Sequence, residues 1–371
     1  MVPVYFTDLR ARHGENLFDK LAKLFKQAGF EGLISKKDLV AVKLHFGEKG
    51  NTGYLNPLFV RSIVDQVKRL GGKPFLTDTN TLYAGSRTNS IDHLQTAIEN
   101  GFAYAVTAAP LIIADGLDGK DCISVPVNLK YYKDVRIGSA VCRADVLLML
   151  SHFKGHMLCG FGGVLKNLGM GCGSRAGKLA MHSDILPLIR SERCTGCGQC
   201  ASWCPGQAIT LEDSKENKKT AVIDKKKCIG CGECTITCRS RAIDVNWKTE
   251  PSVIQEKIVE YAAGALKNKQ GKAGFINFVI NVTPDCDCTS WTDASIVRDI
   301  GILASTDPVA LDTACVDLVN QEKALPGSAL SGKEDVRDKF RAIYPGINWQ
   351  YQLDYAERIG LGTRNYELVK I

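Results

Sequence analysis

Eight of the 15 cysteines lie in two copies of one pattern, and their spacing suits metal binding. Each copy has two gaps of two residues followed by one gap of three residues, and the second copy follows the first by 34 residues. Glycines at 196 and 198 match glycines at 230 and 232 at the same offset, which indicates an internal duplication. The cysteines are Cys194, Cys197, Cys200 and Cys204, then Cys228, Cys231, Cys234 and Cys238.

This spacing predicts two 4Fe–4S clusters. Two-residue gaps let three thiolates of one loop reach three irons of a cubane, while the fourth cysteine ligates the other cluster. We expect cluster one to bind Cys194, Cys197, Cys200 and Cys238, and cluster two to bind Cys228, Cys231, Cys234 and Cys204. Zinc is the alternative, but zinc needs only four ligands and has no use for this pattern twice.

The segment 187–248, which holds both copies, resembles bacterial two-cluster ferredoxins. One departure is that the proline after the fourth cysteine is present as Pro205 but is replaced by Arg239 in the second copy. A lysine-rich hairpin joins the copies, and it is either a solvated loop or a docking patch for an acidic redox donor. Its lysines are Lys215, Lys218, Lys219, Lys225, Lys226 and Lys227.

Charge and composition exclude several classes of protein. The chain has 371 residues, 45% of them hydrophobic, so it can bury a large core and is not disordered. Its formal net charge of +7 falls to about +3 if two oxidised clusters each contribute about −2. The lysine runs lack interleaved aromatics and a long basic amphipathic helix, so we expect no nucleic-acid partner.

The chain also lacks the patterns of export or membrane insertion. The start of the sequence has no basic segment followed by an apolar one, and it predicts a strand. The longest uncharged stretch, 100–114, is shorter than the roughly 20 apolar residues of a membrane span. We therefore expect a soluble, cytoplasmic protein without a membrane partner, in which clustered cysteines bind metal rather than form disulfides.

The remainder of the chain predicts an α/β fold. Short apolar runs predict strands at 2–7, 39–45, 74–77, 145–151, 275–282 and 301–304. Helical periodicity predicts helices at 16–28, 58–70, 91–100, 251–266 and 308–320. This alternation indicates a mainly parallel sheet covered by helices. The cysteine-rich segment interrupts the pattern, so we expect a discontinuous host domain, 1–186 and 249–371, with a ferredoxin-like module inserted at 187–248.

Ligands of such sheets bind beyond the carboxyl ends of the strands. Strand 145–151 runs into a glycine-rich stretch, 151–171, that contains His152, Lys154 and His156. Its glycines either bring backbone N–H groups to an anion or allow tight packing. His45, Asp78 and Asn80 also follow strand ends and are candidates for the same site, although a structural role for His45 is equally consistent with its position.

Six motifs extend this pattern over nearly the whole chain. They are the segments 43–48 (KLHFGE), 77–80 (TDTN), 151–156 (SHFKGH), 165–171 (LKNLGMG), 284–288 (PDCDC) and 305–308 (STDP). Together they resemble an iron–sulfur centre family known as domain of unknown function family 362. The resemblance implies a ferredoxin module inserted in an α/β host, and it implies no settled reaction.

A second resemblance concerns His156, three glycines, Lys166 and the later His182, whose spacing is similar to a pattern in nickel-pincer lactate racemases. The resemblance implies that Lys166 carries a covalent cofactor, that His182 ligates nickel and that His156 transfers protons. A ferredoxin insertion has no role in a redox-neutral racemisation. We therefore expect a different reaction and no nickel-pincer cofactor.

The remaining cysteines divide into two groups. Cys286 and Cys288 follow a strand end; their one-residue gap is too tight for a normal shared tetrahedral site, but a single thiolate could bind a metal or substrate. Cys159 and Cys172 flank the glycine-rich stretch and would be reactive if electropositive surroundings lowered their pKa values. We expect three cysteines in the core and two histidines at the surface. They are Cys122, Cys142 and Cys315, then His13 and His93.

Three functions remain open. The first is an iron–sulfur oxidoreductase in which low-potential electrons reach a small-molecule site on the host domain, with another protein as electron donor. The second is a pure electron carrier that docks a partner, and the third is a metal- or cofactor-binding module related to the racemases. A host of about 300 residues exceeds what a carrier needs, and the sequence shows no flavin or nicotinamide fingerprint. The proposed site consists of Lys43, His45, Asp78, His156, Lys166 and His182.

Overall fold

A computed structural model describes residues 1–82, 85–182, 187–204, 206–213, 218–228, 233–244 and 249–371, with the backbone only at 233 and 236. The expected ligand Cys231, together with Pro205 and Lys215, lies outside the described residues. All the other expected cluster ligands lie within them.

Sixteen strands form in the described part of the chain. They are β1 Val2–Asp8, β2 Leu39–Lys43, β3 Lys73–Asp78, β4 Leu111–Ile113, β5 Cys122–Pro126, β6 Asp134–Gly138, β7 Val146–His152, β8 Lys154–His156, β9 Gly160–Gly162, β10 Leu188–Ile189, β11 Ile209–Asp213, β12 Lys219–Ile223, β13 Ile243–Asp244, β14 Ala273–Val279, β15 Gly301–Ser305 and β16 Tyr366–Lys370.

Thirteen α-helices accompany them in the same described ranges. They are α1 Leu17–Gln27, α2 Pro57–Arg69, α3 Ser90–Ala97, α4 Tyr104–Thr107, α5 Ser139–Arg143, α6 Val164–Cys172, α7 Arg175–His182, α8 Gln199–Ser202, α9 Glu233–Thr237, α10 Pro251–Leu266, α11 Pro308–Gln321, α12 Lys339–Ile343 and α13 Gln350–Arg358.

The central sheet has eight strands in the order β16-β1-β15-β14-β7-β2-β3-β4. The pairs β16/β1, β14/β7, β7/β2, β2/β3 and β3/β4 are parallel, and β15 runs antiparallel to both of its neighbours. Helices cover both faces of the sheet. The apolar side chains on each face pack with these helices into a separate core cluster. The expectation of an α/β fold with a mainly parallel sheet is therefore confirmed.

Local sequence signals explain why the predicted helices begin where they do. Asn16 precedes α1, and its side chain accepts hydrogen bonds from the backbone amides of Phe18 and Asp19, while the Asp19 carboxylate accepts one from the Asn16 amide, a complete capping box. Asp307 precedes α11 in the same way, and Pro308 follows at the first helical position. At the centre of the sheet, every residue of β7 is buried, as expected of a parallel strand covered on both faces.

The cysteine-rich segment has a small core of its own. β10 pairs with β13 near its two ends, and β11 pairs with β12 in a hairpin. Its apolar cluster contains Cys200, Ile209, Ala221, Cys234 and Ile243. In the chain, helix α7 precedes this segment and helix α10 follows it. The domain boundaries 1–186, 187–248 and 249–371 stay our prediction.

Membrane insertion finds no support in the described helices. None of the helices in these ranges is both long enough and apolar enough to cross a bilayer.

Candidate functional site

A cavity of about 350 Å³ opens at the carboxyl ends of the parallel strands. β2, β3 and β7 run in the same direction, so residues at and just after their ends meet at one edge of the sheet. Apolar side chains from α6 and α10 complete the lining, among them Met170, Ile254 and Ile258. The titratable residues that line the cavity are His45, Asp78, Arg87, His152, Lys154, His156, Lys166, Lys178, His182, Asp285, Cys286 and Cys288.

Five of the six expected site residues line this cavity, and Lys43 does not. The Lys43 side chain is completely buried behind the lining. Its Nζ lies 2.9 Å from Oδ1 of Asp78 and 2.6 Å from Oδ1 of Asn167. Lys43 therefore supports the cavity wall through Asp78 and Asn167, rather than facing a ligand.

Asp78 is the centre of a buried charge network. Arg87, which the sequence did not single out, bridges Asp78 at 3.5 Å and Glu48 at 3.2 Å. Burial raises the pKa of Asp78, but Lys43, with smaller contributions from His45, His93 and Arg87, outweighs it and lowers the pKa below its usual range. The carboxylate is therefore held ionised.

The expectation that His93 lies at the surface is wrong, because its side chain is fully buried. It packs edge-on against Phe46, and its Nε2 lies 3.8 Å from Asp78. Burial lowers the pKa of His93 to about 3, so the ring is neutral. Asn80 is also buried and does not line the cavity; its amide donates to Asp115 at 3.0 Å.

Two of the cavity histidines have a defined tautomer. Nδ1 of His156 accepts hydrogen bonds from the backbone amides of Leu158 and Cys159, both at 3.2 Å. Nδ1 of His45 accepts from the Gly47 amide at 3.0 Å. Since burial lowers the pKa of both rings well below the usual range, each neutral ring carries its hydrogen on Nε2. Each Nε2–H is thus a hydrogen-bond donor.

The Cys286–Cys288 segment is held in place by the aspartate between the two cysteines. Asp287 lies 2.8 Å from Nδ1 of His152 and 2.9 Å from Nζ of Lys154. Nε2 of His152 in turn faces the carbonyls of Ile280 and Asn281. Because Asp287 is directed into this buried network, its two neighbours Cys286 and Cys288 face the cavity.

Lys166 pairs with one of these cysteines. Its Nζ donates to Sγ of Cys286 at 3.2 Å. A hydrogen bond from Cys288, together with the charges of Lys166 and Lys154, lowers the pKa of Cys286 well below its usual range, against the effect of burial. The same hydrogen bond raises the pKa of Cys288. The pair is therefore a Cys286 thiolate beside a Cys288 thiol.

His156 lies close to both cysteines. A ring nitrogen of His156 and the two sulfurs lie within 4.8 Å of one another. The one-residue gap thus brings both sulfurs close to the same histidine. The alternation of aspartate and cysteine after a strand end was the signal in the sequence, since it places the two cysteines on the same side.

Helix α7 contributes Lys178 and His182 to the opposite part of the lining. Burial lowers the pKa of His182 to about 4, so this ring is also neutral near pH 7. Lys178 donates to Thr79 and to the Gly173 carbonyl. Burial also lowers the pKa of Lys178 to about 8.

The glycine-rich stretch is shaped by close packing. The amides of Val164 and Leu165, which begin α6, are bonded to the Asp312 carboxylate at 2.8 and 2.9 Å, so they are not free for an anion. A Cβ at Gly163 would collide with the Asp312 carboxylate, and one at Gly169 would collide with the Ile258 carbonyl of α10. These glycines therefore let α6 approach α10 and α11, which places Lys166.

Burial makes the thiols of Cys159 and Cys172, the cysteines that flank the glycine-rich stretch, unreactive. It raises the pKa values of Cys159 and Cys172 to about 12, so neither is an activated thiol. Cys315 lies in the core as expected, but Cys122 and Cys142 are only half-buried. The expectation of a core position for these two is therefore wrong, because both lie near the margin of the small β5–β6 and α5 region.

The expected cluster-one cysteines share one small cavity in the module. Cys194, Cys197, Cys200 and Cys238 all line it, with apolar walls from residues such as Ile189. The sulfurs of Cys194 and Cys238 accept backbone N–H groups of Ala221 and Ala242 at 3.5 and 3.3 Å. Four thiols converging on one pocket, with amide donors directed at sulfur, fit a 4Fe–4S cluster.

The duplication extends to the hydrogen bonds. Sγ of Cys204 accepts the Ala208 amide at 3.2 Å, as Sγ of Cys238 accepts the Ala242 amide. Cys204 packs with Cys234 in the module core. Because Cys231 lies outside the described residues, the ligand set expected for cluster two stays a prediction.

The module contacts the host beside the large cavity. Helix α7, which lines the cavity with Lys178 and His182, also contacts α9, which carries Cys234. Lys120 of the host lies over the ring of Trp203, 4.3 Å from its centroid, immediately before Cys204. One helix, α7, thus both lines the cavity and contacts the cysteine-bearing helix.

Comparisons with known proteins give matches to the module and to the host. A curated relative, the ferredoxin-type protein NapF of Haemophilus influenzae, is 44% identical over 41 residues, 11% of this chain and 23% of that protein. The lactate racemase apoprotein of Thermoanaerobacterium thermosaccharolyticum matches 74% of this chain and 50% of its own, with 13% identity and a TM-score of 0.37. A Thermotoga maritima protein matches 70% of this chain and 49% of its own, with 9% identity and a TM-score of 0.33.

This chain therefore spans about half the length of those two solved chains and about a quarter of the ferredoxin-type relative. The model of the family described as "Domain of unknown function (DUF362)" matches residues 40–317, which include the cavity, the cysteine-rich module and helix α10. The chain belongs to the DUF362 family.

Proposed function

We propose that this chain is an iron–sulfur oxidoreductase that reduces a small molecule bound in the host cavity. The observation that carries the proposal is the position of α7, which both lines the cavity and contacts the cysteine-bearing α9. A ferredoxin-type relative supports the redox assignment of the module.

Two 4Fe–4S clusters would be held by the eight cysteines of the duplicated pattern. Cys194, Cys197, Cys200 and Cys238 line one cavity and would hold cluster one. Cluster two would use Cys204, Cys228, Cys231 and Cys234. When bound, such clusters supply one-electron transfer at low potential.

The host domain would bind and orient the substrate by hydrogen bonds. Nε2–H of His156 and of His45 would donate hydrogen bonds, because backbone amides occupy the Nδ1 atoms, and Lys166 adds an ammonium group. Apolar side chains such as Met170 and Ile258 exclude water from part of the cavity. A pure electron carrier has no use for such a cavity, and this favours the enzyme over the carrier.

Another protein would donate the electrons. Lys225, Lys226 and Lys227 are exposed immediately before Cys228. A positive surface beside a cluster ligand attracts an acidic partner and increases its association rate. We therefore propose an acidic redox protein as the donor, and a reducing, cytoplasmic compartment in which the ligating thiols stay available for metal.

Anaerobic purification followed by metal and sulfide analysis tests the module. We expect about eight irons and eight acid-labile sulfides per chain, and a paramagnetic signal after reduction. Replacing a cluster-one ligand, Cys238→Ser, should remove about half of the iron, whereas Cys142→Ser, a half-buried cysteine outside the pattern, should leave the iron content unchanged. Zinc in place of iron in the wild-type protein contradicts the proposal.

The racemase-related alternative has one observation in its favour, which is that His156, Lys166 and His182 line the same cavity. It predicts nickel and a covalent adduct on Lys166. We expect neither, because the Lys166 ammonium is paired with Cys286 and a redox-neutral reaction leaves the module without a role. Intact mass and nickel analysis of the purified chain separate the two functions.

A further inference from the structure

Cys286 and Cys288 are the first and third residues of one tight turn. The Thr289 amide donates to the Cys286 carbonyl at 3.0 Å, which closes a turn over Cys286, Asp287, Cys288 and Thr289. Cα atoms two residues apart lie at most about 7 Å from each other, and a turn brings them toward the roughly 5.5 Å that a disulfide prefers. The backbone thus allows these two cysteines to be joined.

The surroundings suit thiol chemistry better than metal binding. Nδ1 of His156 accepts two backbone amides, so the neutral ring holds its hydrogen on Nε2 and offers no free lone pair to a metal. The Lys166 ammonium lies 3.2 Å from Sγ of Cys286, where it repels a metal cation. The same ammonium stabilises a thiolate, which is the attacking form in disulfide exchange.

We propose that Cys286 and Cys288 are a redox-active dithiol that reduces a small-molecule disulfide in the host cavity. Cys286 is the attacking cysteine because Lys166 and Cys288 both donate to its sulfur, and Cys288 is the resolving cysteine. The cavity of about 350 Å³ sets the size of the substrate. This inference rests on the proposed function, since the electrons that restore the dithiol reach it through the module.

The exchange is balanced in atoms and electrons. The Cys286 thiolate attacks one substrate sulfur, so a mixed disulfide forms as the substrate S–S bond breaks and the first half of the substrate leaves as a thiolate. Cys288 passes its proton to this thiolate and attacks Sγ of Cys286, which forms the Cys286–Cys288 disulfide and releases the second half of the substrate as a thiolate that takes a proton from solvent. Two electrons and one proton then reopen the disulfide and restore the Cys286 thiolate and the Cys288 thiol.

The test uses the full-length, anaerobically purified chain and 2-hydroxyethyl disulfide as the probe. The protein is reduced, freed of reductant, mixed with the probe and alkylated, and the peptide that contains both cysteines is weighed. We expect an internal disulfide in the wild-type chain. Cys288→Ser should stop at the mixed disulfide with one mercaptoethanol on Cys286, whereas Cys286→Ser should react at least tenfold more slowly.

A second readout connects the dithiol to the module. Addition of the probe should abolish the paramagnetic signal of the reduced wild-type chain but not that of Cys286→Ser. Cys142→Ser, at a cysteine that does not line the cavity, should behave as the wild type, and the iron content of each variant shows that it has folded.

Distinct results would overturn the inference or the proposed function. If an iron-loaded chain keeps both cysteines as thiols after addition of the probe, the dithiol inference is overturned and the proposed function is left intact. The same holds if the wild-type chain binds a metal ion that the Cys286→Ser, Cys288→Ser double variant does not bind. An iron-free chain that still forms the internal disulfide overturns the proposed function and leaves the exchange chemistry intact.

Discussion

Nζ of Lys166 lies 3.2 Å from Sγ of Cys286, inside the cavity that His156 and His182 also line. Burial alone lowers the pKa of a lysine, but the neighbouring cysteines, Cys286 foremost, outweigh burial and raise the pKa of Lys166. The resemblance to racemases implies that Lys166 carries a cofactor, whereas in the structure its ammonium group donates to the Cys286 sulfur.

Replacement of Lys166 by methionine should reduce the reactivity of Cys286. The change removes one of the interactions that lower the pKa of Cys286, so a smaller fraction of thiolate is present near pH 7. One pKa unit corresponds to about tenfold in thiolate fraction, and we expect alkylation of Cys286 by iodoacetamide to slow by about that factor. Peptide mass spectrometry over a pH series measures the rate.

The control is Lys257→Met, because Lys257 is buried near His182 and does not contact Cys286. Equal alkylation rates in the wild type and Lys166→Met would show that the Cys288 hydrogen bond alone activates Cys286.

Asp287→Asn should destabilise the whole site. The carboxylate is completely buried between His152 and Lys154, and removal of its charge leaves Lys154 without its counter-ion. Breaking a buried ion pair from one side costs about 3–5 kcal/mol. Denaturant unfolding measures the free energy of unfolding.

Asp285→Asn provides the comparison, since Asp285 is half-buried and accepts hydrogen bonds from Tyr344 at 2.8 Å and from Trp291 at 3.4 Å, with no buried cation as its partner in the described residues. The Asp285→Asn variant should lose about 1 kcal/mol of the free energy of unfolding. Equal losses in the two variants would mean that Asp287 contributes no more than an ordinary hydrogen-bond acceptor.

His93 should make the stability depend on pH. Burial lowers its pKa in the folded chain to about 3, whereas the unfolded value is 6.5. Between these two values the unfolded chain binds more protons, so the free energy of unfolding is fully retained above about pH 6.5 and falls as the pH drops. The slope for one such group is about 1.4 kcal/mol per pH unit.

Denaturant unfolding of the wild type and His93→Gln between pH 7.5 and 5.5 measures this slope. The variant should show a shallower dependence, because glutamine does not titrate. Parallel curves would place the pH dependence elsewhere, with the buried His182 as the next group to replace.

Asp312 should matter more for stability than an ordinary helix cap. It accepts the first amides of α6 from its position in α11, together with the Asn277 amide at 2.7 Å. Asp312→Ala leaves these buried donors without an acceptor, at about 1–3 kcal/mol for each. Asp307→Ala removes the cap of α11 itself and should cost about 0.5–2 kcal/mol.

Thermal unfolding measures the stability that Asp312→Ala and Asp307→Ala lose, the first within α11 and the second at its N-cap. If Asp312→Ala loses no more stability than Asp307→Ala, then water replaces the carboxylate at the start of α6.

Much of the fold follows from local sequence pattern. The apolar run at 145–151 predicts a buried strand, and Asp307-Pro308 predicts the start of a helix; both form within one residue of the predicted positions. Because parallel strands end at one edge of the sheet, the polar residues after them, such as His45 and Asp78, could be predicted to meet.

The rest depends on contacts between distant parts of the chain. Arg87 has no local signal, because its partners Glu48 and Asp78 are brought to it only by the sheet. Asp312 caps a helix that lies almost 150 residues earlier in the chain. His93 lies on a helix face that a neighbouring loop covers, and a sequence pattern does not show which polar residue will be buried there.

The position of β1 has a consequence for synthesis of the chain. It ends at Asp8, and its two neighbours in the sheet, β15 and β16, begin at Gly301 and Tyr366. During synthesis, β1 therefore stays without its neighbours in this sheet until β15, nearly 300 residues later in the chain, has been translated. The strand pairs of the cysteine-rich segment lie within residues 188–244, so they can form while β1 is still unpaired.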